Sequence, residues 1–284
     1  MLIKGSTKIY AVTGKPVVHS LSPAIHNFLF QRFQIDAVYL ALPVEPQDFS
    51  TLVRGLGKTS VYGLNITTPH KVRAKKNLQV LGPTAKAVGA ANTLVRRKDG
   101  WKGINTDGKG FCHWLEDEVG FSLQGKKVVV LGAGPAARAV LFELHKRKVH
   151  TLTVINRSAS KFRKTFFKQL SKRGINLLCS DDKKVKSYFS EAELIINGTS
   201  WGLGGSTKAA PPWQLAKLSP SLVVDLNYCA GSDTPFQKLF PKKVQSFDGQ
   251  GMLRWQATFA FTAWTGRKLA DKDHRALKQH LAKL

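Results

Sequence analysis

The residues able to do proton chemistry lie in short polar clusters within the first 107 positions. His19-Ser20-Leu21-Ser22-Pro23 offers two hydroxyls, and Asn65-Ile66-Thr67-Thr68-Pro69-His70-Lys71 offers an amide, hydroxyls and an ammonium. Gly89-Ala90-Ala91-Asn92-Thr93 and Asn105-Thr106-Asp107 add two amides, further hydroxyls and a carboxylate. Lys71 and Asp107 are the titratable pair suited to moving a proton at a small, polyhydroxylated, anionic substrate. Taken singly, each cluster also fits a helix cap or a turn, because Ser, Thr and Asn bond readily to nearby main chain. His70, beside Lys71, invites a metal or acid/base reading. None of the eight histidines has a partner at ligand spacing, so the expectation is a structural His70 and no metal.

A second group of residues suits a phosphate-bearing ligand. Lys127 to Leu131 reads as a buried strand, and Gly132-Ala133-Gly134-Pro135-Ala136-Ala137 follows as a tight turn opening a helix, the G-x-G-x-x-A arrangement of a dinucleotide fingerprint. In that reading Gly132 permits the turn, Gly134 lets main-chain N–H groups approach a pyrophosphate, and Ala137 allows close packing. The positive end of the helix dipole favours the bound charge. A glycine turn that holds no ligand is spelled the same way, so context decides. An NAD site usually places Asp or Glu about 20 residues further on, for the ribose 2′-hydroxyl. Here the next strand, Thr151 to Ile155, ends in Asn156-Arg157-Ser158, and Arg157, Lys161, Arg163 and Lys164 offer positive charge for a 2′-phosphate. Since 44 of 284 residues are Lys or Arg, a basic residue alone says little, and it is the missing carboxylate that predicts NADP.

Positioning these groups requires strand ends. Apolar β-rich runs alternate with amphipathic stretches, which predicts an α/β protein with strands joined by crossover helices in a parallel sheet. The expected strands are Lys8 to Val12, Ala37 to Leu42, Val61 to Ile66, Asn92 to Val95 and Trp101 to Ile104, then Lys127 to Leu131, Thr151 to Ile155, Ile175 to Cys179, Leu194 to Asn197 and Leu222 to Leu226. Ser22-Pro23 should open the first helix, with Ser22 as N-cap, before Ile25, Phe28, Leu29 and Phe33. Cys112 and Trp114 read as the buried face of the helix after Asp107, and Phe259, Phe261 and Trp264 as core of a C-terminal helix.

At 284 residues with 43% hydrophobic and 22% charged, the chain can bury a sizeable core as two domains of ordinary size. The net charge of +26 invites a nucleic-acid partner. By segment the net is +10 over residues 1–107, +11 over 108–248 and +5 over 249–284. Dispersed charge of this kind fits a solvated surface that draws anionic small molecules rather than a nucleic-acid arm, and no nucleic-acid partner is expected. The longest uncharged stretch near the N-terminus, Pro16 to Gln31, is broken by polar residues, so no membrane span is expected, nor a secretory leader after Lys4. Three widely spaced cysteines, Cys112, Cys179 and Cys229, suit a reducing compartment, the cytoplasm.

Together the clusters, in the order His-Ser-Leu-Ser-Pro, Asn-Ile-Thr-x-Pro-His-Lys, Gly-Ala-x-Asn-Thr, Asn-Thr-Asp, Gly-Ala-Gly and Asn-Arg-Ser, resemble the shikimate dehydrogenase family. The resemblance continues through Asn197-Gly-Thr-Ser200, Asp225-x-x-Tyr228, Gly249-Gln-Gly-Met252-Leu-x-x-Gln256 and Trp264-Thr-Gly266. It implies NADPH-dependent reduction of 3-dehydroshikimate to shikimate, in the route to aromatic amino acids. It also implies two open α/β domains with a cleft between them: a substrate domain of residues 1–107 plus 249–284, and a Rossmann-type NADP domain of residues 108–248. By position, Ser20, Ser22, Thr67, Lys71, Asn92, Asp107, Tyr228 and Gln256 are implied to hold substrate, with Lys71 and Asp107 catalytic. Gly132, Ala133, Gly134, Pro135, Ala136, Asn156, Arg157, Ser158, Lys161, Leu226 and Gly249 are implied to hold the cofactor. The partners are then small molecules, and the chain a monomer or homodimer.

The chain departs from the family pattern at three places. Pro135 stands where a glycine is usual and removes one N–H, the stretch from Tyr228 to Thr234 is one residue longer and lacks the usual Pro, and Pro83 occupies a position that is acidic in some members. Relatives of this kind also oxidise quinate, so a dual quinate/shikimate enzyme is one alternative. A non-catalytic NADP-binding regulatory protein of the same fold is another, and it would be expected to lack Lys71 or Asp107.

Overall fold

The computed structural model describes residues 2–158, 175–203, 215, 218–229 and 231–284, and Lys161 lies outside them. In chain order the elements are β1 (Lys8–Gly14), α1 (Ser22–Arg32), β2 (Ala37–Pro43), α2 (Phe49–Leu56), β3 (Val61–Ile66), β4 (Val80–Leu81), α3 (Pro83–Val88), β5 (Thr93–Arg97), β6 (Gly100–Ile104) and α4 (Asp107–His113). They continue as β7 (Lys127–Leu131), α5 (Pro135–Lys146), β8 (Thr151–Ile155), β9 (Ile175–Leu178), α6 (Val185–Glu191), β10 (Leu194–Asn197), β11 (Leu222–Asp225), β12 (Gln245–Phe247), α7 (Gln250–Thr265) and α8 (Asp271–Leu281). The chain divides into two compact units, residues 1–106 with 254–284, and residues 107–253. The first junction falls one residue before the one expected, and the second lies inside α7, five residues after it. The short strands β4 and β12 carry no signal that sequence reading could use.

The first unit contains a sheet in the order β2-β1-β3-β5-β6-β4. Strand β1 runs parallel to β2 and β3, but β5 is antiparallel to both β3 and β6, so the expectation of a parallel sheet is corrected here. The physical reason is the connection: Lys98 and Asp99 are too few to cross over, and Gly100, at φ +122°, turns the chain straight back. Helix α1 begins at Ser22 with Leu21 in the cap position and no side-chain cap bond, which corrects the assignment of Ser22 as N-cap; Pro23 does sit in the first turn. Ala11, Leu64, Ile66, Leu94, Phe49, Val53 and Trp101 form one core cluster, and Trp101 Nε1 donates to the Val53 carbonyl at 2.9 Å. The C-terminal helices close the unit by specific contacts. The indole of Trp264 lies on Gly63, where any side chain would collide with it, and its Nε1 donates to the Leu94 carbonyl at 2.9 Å. Arg32 and Asp273 pair at 2.7 Å between α1 and α8.

The second unit contains a sheet in the order β12-β11-β10-β7-β8-β9, and every pairing in it is parallel. Strands β10 and β11 are buried along their whole length, as parallel strands covered on both faces must be, which is why they read as unbroken apolar runs. Strand order reverses between β7 and β10. In open α/β sheets ligands bind outside the carboxyl ends of the strands at such a reversal. No helix among the described residues is long and apolar enough to cross a membrane, and no group of three or more metal-ligating side chains occurs among them.

Candidate active site

In the first unit the loop carrying Lys71 is fastened at both ends. Thr67 N–H donates to the Thr13 carbonyl at 3.0 Å and Lys15 N–H to the Thr68 carbonyl at 3.0 Å, which ties the loop to the end of β1. The Lys71 carbonyl accepts from Ala91 N–H at 3.0 Å and anchors the other end beside Asn92. His70 is fully buried, its Nε2 lies 3.1 Å from the Val44 carbonyl, and its ring stacks on Phe49 at 4.4 Å. Burial lowers its pKa, so this neutral, packed ring is structural, as its lack of ligand spacing suggested.

Next to this loop stands a buried wall of amides and hydroxyls. Tyr39 OH donates to Asn65 Oδ1 at 2.6 Å, and Asn65 Nδ2 donates to Thr93 Oγ1 at 3.0 Å and to the Asn92 carbonyl at 3.2 Å. Asn92 Oδ1 accepts from Thr93 Oγ1 at 3.0 Å and from Thr106 N–H at 2.9 Å, while its Nδ2 reaches Thr106 Oγ1 at 2.9 Å and Gln256 Oε1 at 3.1 Å. Buried polar groups are held in single orientations when each bond is made, so the wall is a preset surface rather than a flexible one. Ser22 is buried and its side chain faces the Tyr39 hydroxyl; Ser20 is half-buried, and its Oγ accepts from Ser22 N–H at 3.3 Å. Burial raises Tyr39 well above the usual tyrosine range, and it pushes His26, stacked on Tyr39 at 4.4 Å, down to about 3. The structure thus brings together Ser22, Asn92 and Gln256, three of the residues expected to hold substrate. It adds Tyr39, Asn65 and Thr106, of which Tyr39 lies in an apolar strand that carries no sequence signal of a site.

In the second unit Asp107 opens α4 and is buried. The turn after β7 is a glycine turn for stated reasons. Gly132 sits at φ +88°, a conformation side chains disfavour, and its N–H donates to the Ile155 carbonyl at 2.8 Å. A side chain at Gly134 would meet only the Gly198 carbonyl, at 3.7 Å, so the entrance to α5 is open there. Pro135 is in the first turn of α5 and removes a donor, while the remaining N–H groups of that turn, with Ala133 and Ala136 beside them, form the positive end of the helix dipole. Arg157 and Ser158 are exposed beyond the end of β8, and Asn156 N–H is held by the Leu178 carbonyl at 3.1 Å. Leu226 and Tyr228 are half-buried beyond β11, and burial together with nearby Asp248 raises the Tyr228 pKa. Gly249 lies against the Leu226 carbonyl, where any side chain would collide. A glycine turn opening a helix, with open access at Gly134, followed by a strand end bearing a guanidinium in place of the acid of an NAD site, fits a dinucleotide with an added phosphate.

Fold and site define a two-unit α/β protein built to bind a dinucleotide at a strand-order reversal, with a polar, amide-lined wall in its other unit. Residues 12–94 match the family described as shikimate dehydrogenase substrate binding domain, and residues 115–226 match shikimate / quinate 5-dehydrogenase. A protein of Anaeromyxobacter dehalogenans named shikimate dehydrogenase (NADP(+)) is 35% identical over 273 residues, 96% of each chain. One of the same name from Streptococcus sanguinis is 34% identical over 280 residues, again 96% of each chain. Among solved structures, a shikimate dehydrogenase in complex with NADP+ has a TM-score of 0.85 at 30% identity, covering 99% of this chain and 97% of that one. The shikimate dehydrogenase of Aquifex aeolicus has a TM-score of 0.84 at 28% identity, covering 99% of both. The chain belongs to the shikimate dehydrogenase family.

Proposed function

We propose that the chain is an NADP-dependent oxidoreductase that interconverts 3-dehydroshikimate and shikimate, on the route to aromatic amino acids. The observation that carries this reading is the match along 96% of the chain to proteins named for that activity and cofactor. Residues 1–107 with 249–284 take the role of substrate domain and residues 108–248 that of NADP domain. Ser20 and Ser22 hold the substrate carboxylate, and Thr67, Asn92, Tyr228 and Gln256 bind the rest of the substrate. Lys71 hydrogen-bonds the oxygen at the reacting carbon and exchanges a proton with it, while Asp107 orients a substrate hydroxyl and the ammonium. When bound, the nicotinamide supplies or accepts the hydride. The turn of residues 132–136 holds the pyrophosphate, with Ala133, Gly134 and Ala136 supplying main-chain N–H groups, while Asn156, Arg157, Ser158 and Lys161 hold the adenosine end and Leu226 and Gly249 the nicotinamide end.

The presence of both Lys71 and Asp107 favours an enzyme over a regulatory protein of the same fold. Its ligands are small molecules; we take it to act as a monomer or homodimer, and its three free cysteines suit the cytoplasm. Mixing the protein with shikimate and NADP+ should produce reduced nicotinamide, and no reduction would overturn the reading. Quinate carries an added ring hydroxyl, and burying it unpaired costs about 1–3 kcal/mol, so shikimate should lead by roughly tenfold to a few hundredfold in kcat/KM. Equal values for the two acids would make this a dual enzyme.

A further inference from the structure

We propose that Asn227 is a positioning residue for this reaction, fastening the loop that carries Leu226 and Tyr228 to the neighbouring loop after β10. The inference rests on the reading above. Asn227 stands between the two residues assigned to nicotinamide and substrate. Its Nδ2 donates to the Thr199 carbonyl at 3.1 Å and to the Trp201 carbonyl at 3.1 Å. Its main-chain N–H donates to Asp225 Oδ1 at 3.0 Å, and its carbonyl accepts from Gly249 N–H at 2.9 Å. One residue therefore joins the end of β11, the loop after β10 and the entry to α7.

The surface to which the carboxamide is fixed is itself rigid. Asn197 Oδ1 accepts from Thr199 N–H at 3.0 Å and from Thr199 Oγ1 at 2.7 Å, and Asn197 Nδ2 donates to Asp225 Oδ1 at 2.8 Å. Asn197 Nδ2 also donates to the Trp201 carbonyl at 3.3 Å and Trp201 N–H to Thr199 Oγ1 at 3.2 Å, so both carbonyls that meet Asn227 are held in place. On the far side Cys229 N–H bonds the Asp248 carboxylate, and Thr234 N–H donates to Gln237 Oε1 at 2.9 Å while its Oγ1 accepts from Gln237 N–H at 3.2 Å. Tyr228 thus lies between two anchored residues, Asn227 and Cys229, and Asn227 supplies the side-chain anchor. The Asn227 side chain is half-buried and packs on carbonyls rather than in the apolar core, so its truncation leaves no core cavity. Its loss should be felt in ligand binding and much less in stability.

The test compares Asn227→Ala and Asn227→Asp with the parent chain; the carboxylate keeps the size of the side chain but offers no donor to the two carbonyls. Each net hydrogen bond is worth a few-fold in an equilibrium constant, so KM for shikimate and the binary Kd for NADPH, read by fluorescence without substrate, should rise about three- to thirtyfold in both variants. kcat should stay within about threefold and Tm within a few degrees. A lowered Tm with unchanged KM and Kd, or failure of both variants to fold, makes Asn227 a purely structural residue and overturns the proposal. A parent chain that does not turn over shikimate sinks the functional reading instead, and the NADPH arm still decides whether Asn227 sets the loop.

Discussion

An ammonium that exchanges a proton with the reacting oxygen contributes to the barrier and little to substrate affinity. Lys71→Ala should accordingly leave a folded protein whose kcat falls by ~10²–10⁴, about 3–5 kcal/mol of barrier, with a smaller change in KM. An exposed ion-pair lysine would matter far less, so near-normal turnover would move the chemistry to Asp107. Arg157 is judged on the cofactor. It is exposed beyond β8, where a charged hydrogen bond to a 2′-phosphate is worth ~1.5–3 kcal/mol. Arg157→Asp should cost roughly one to two decades in kcat/KM for NADP+ and narrow or invert the preference over NAD+. An unchanged ratio of the two cofactors would show that the guanidinium points elsewhere.

At the scale of elements, the placement of α4 against α5 depends on a missing side chain. A Cβ on Gly108 would run into the main-chain carbonyl of Ala139, which has no freedom to step aside inside a helix. Since Gly108 directly follows Asp107, the same contact sets the start of the helix that carries the carboxylate proposed as catalytic. Gly108→Ala should destabilise the protein by about 1–3 kcal/mol or more through overpacking, lower Tm by several degrees and reduce kcat together with it. Full activity at unchanged Tm would mean that the two helices separate without cost.

For the molecule as a whole, two buried groups, one in each unit, should respond to pH in opposite directions. His26, in the first unit, has a folded pKa near 3 because burial disfavours its charged form. Its folded pKa lies below the unfolded value, so its contribution to stability is present above about 6.5 and is lost as pH falls from there toward 3. Each pH unit in that window removes up to about 1.4 kcal/mol relative to a His26→Phe variant, which a pair of urea titrations at pH 7 and pH 5 would measure. Equal pH responses of parent and variant would show that His26 can be protonated in place. Asp225, in the second unit, is pushed up to about 6 by burial, so its contribution is present below the normal carboxylate range and is lost as pH rises to about 6. Because two units need not unfold together, the two effects are best read separately by hydrogen exchange.

The sequence by itself determined most of the strands and the glycine turn after β7. Strands such as Val128–Leu131 and Leu222–Asp225 are apolar because both faces of a parallel sheet are covered, so their buried state is spelled locally. The glycine turn after β7 and the basic end of β8 are local as well, since a positive φ and a missing carboxylate are properties of single positions. Tertiary structure decided what depends on distant partners. The placement of Tyr39 against Asn65, and of Asn92 against Thr106 and Gln256, follows from pairings between segments 14 to 164 residues apart. Hydrogen-bond partners of buried amides are chosen by packing, and packing has no signature within a short window of chain.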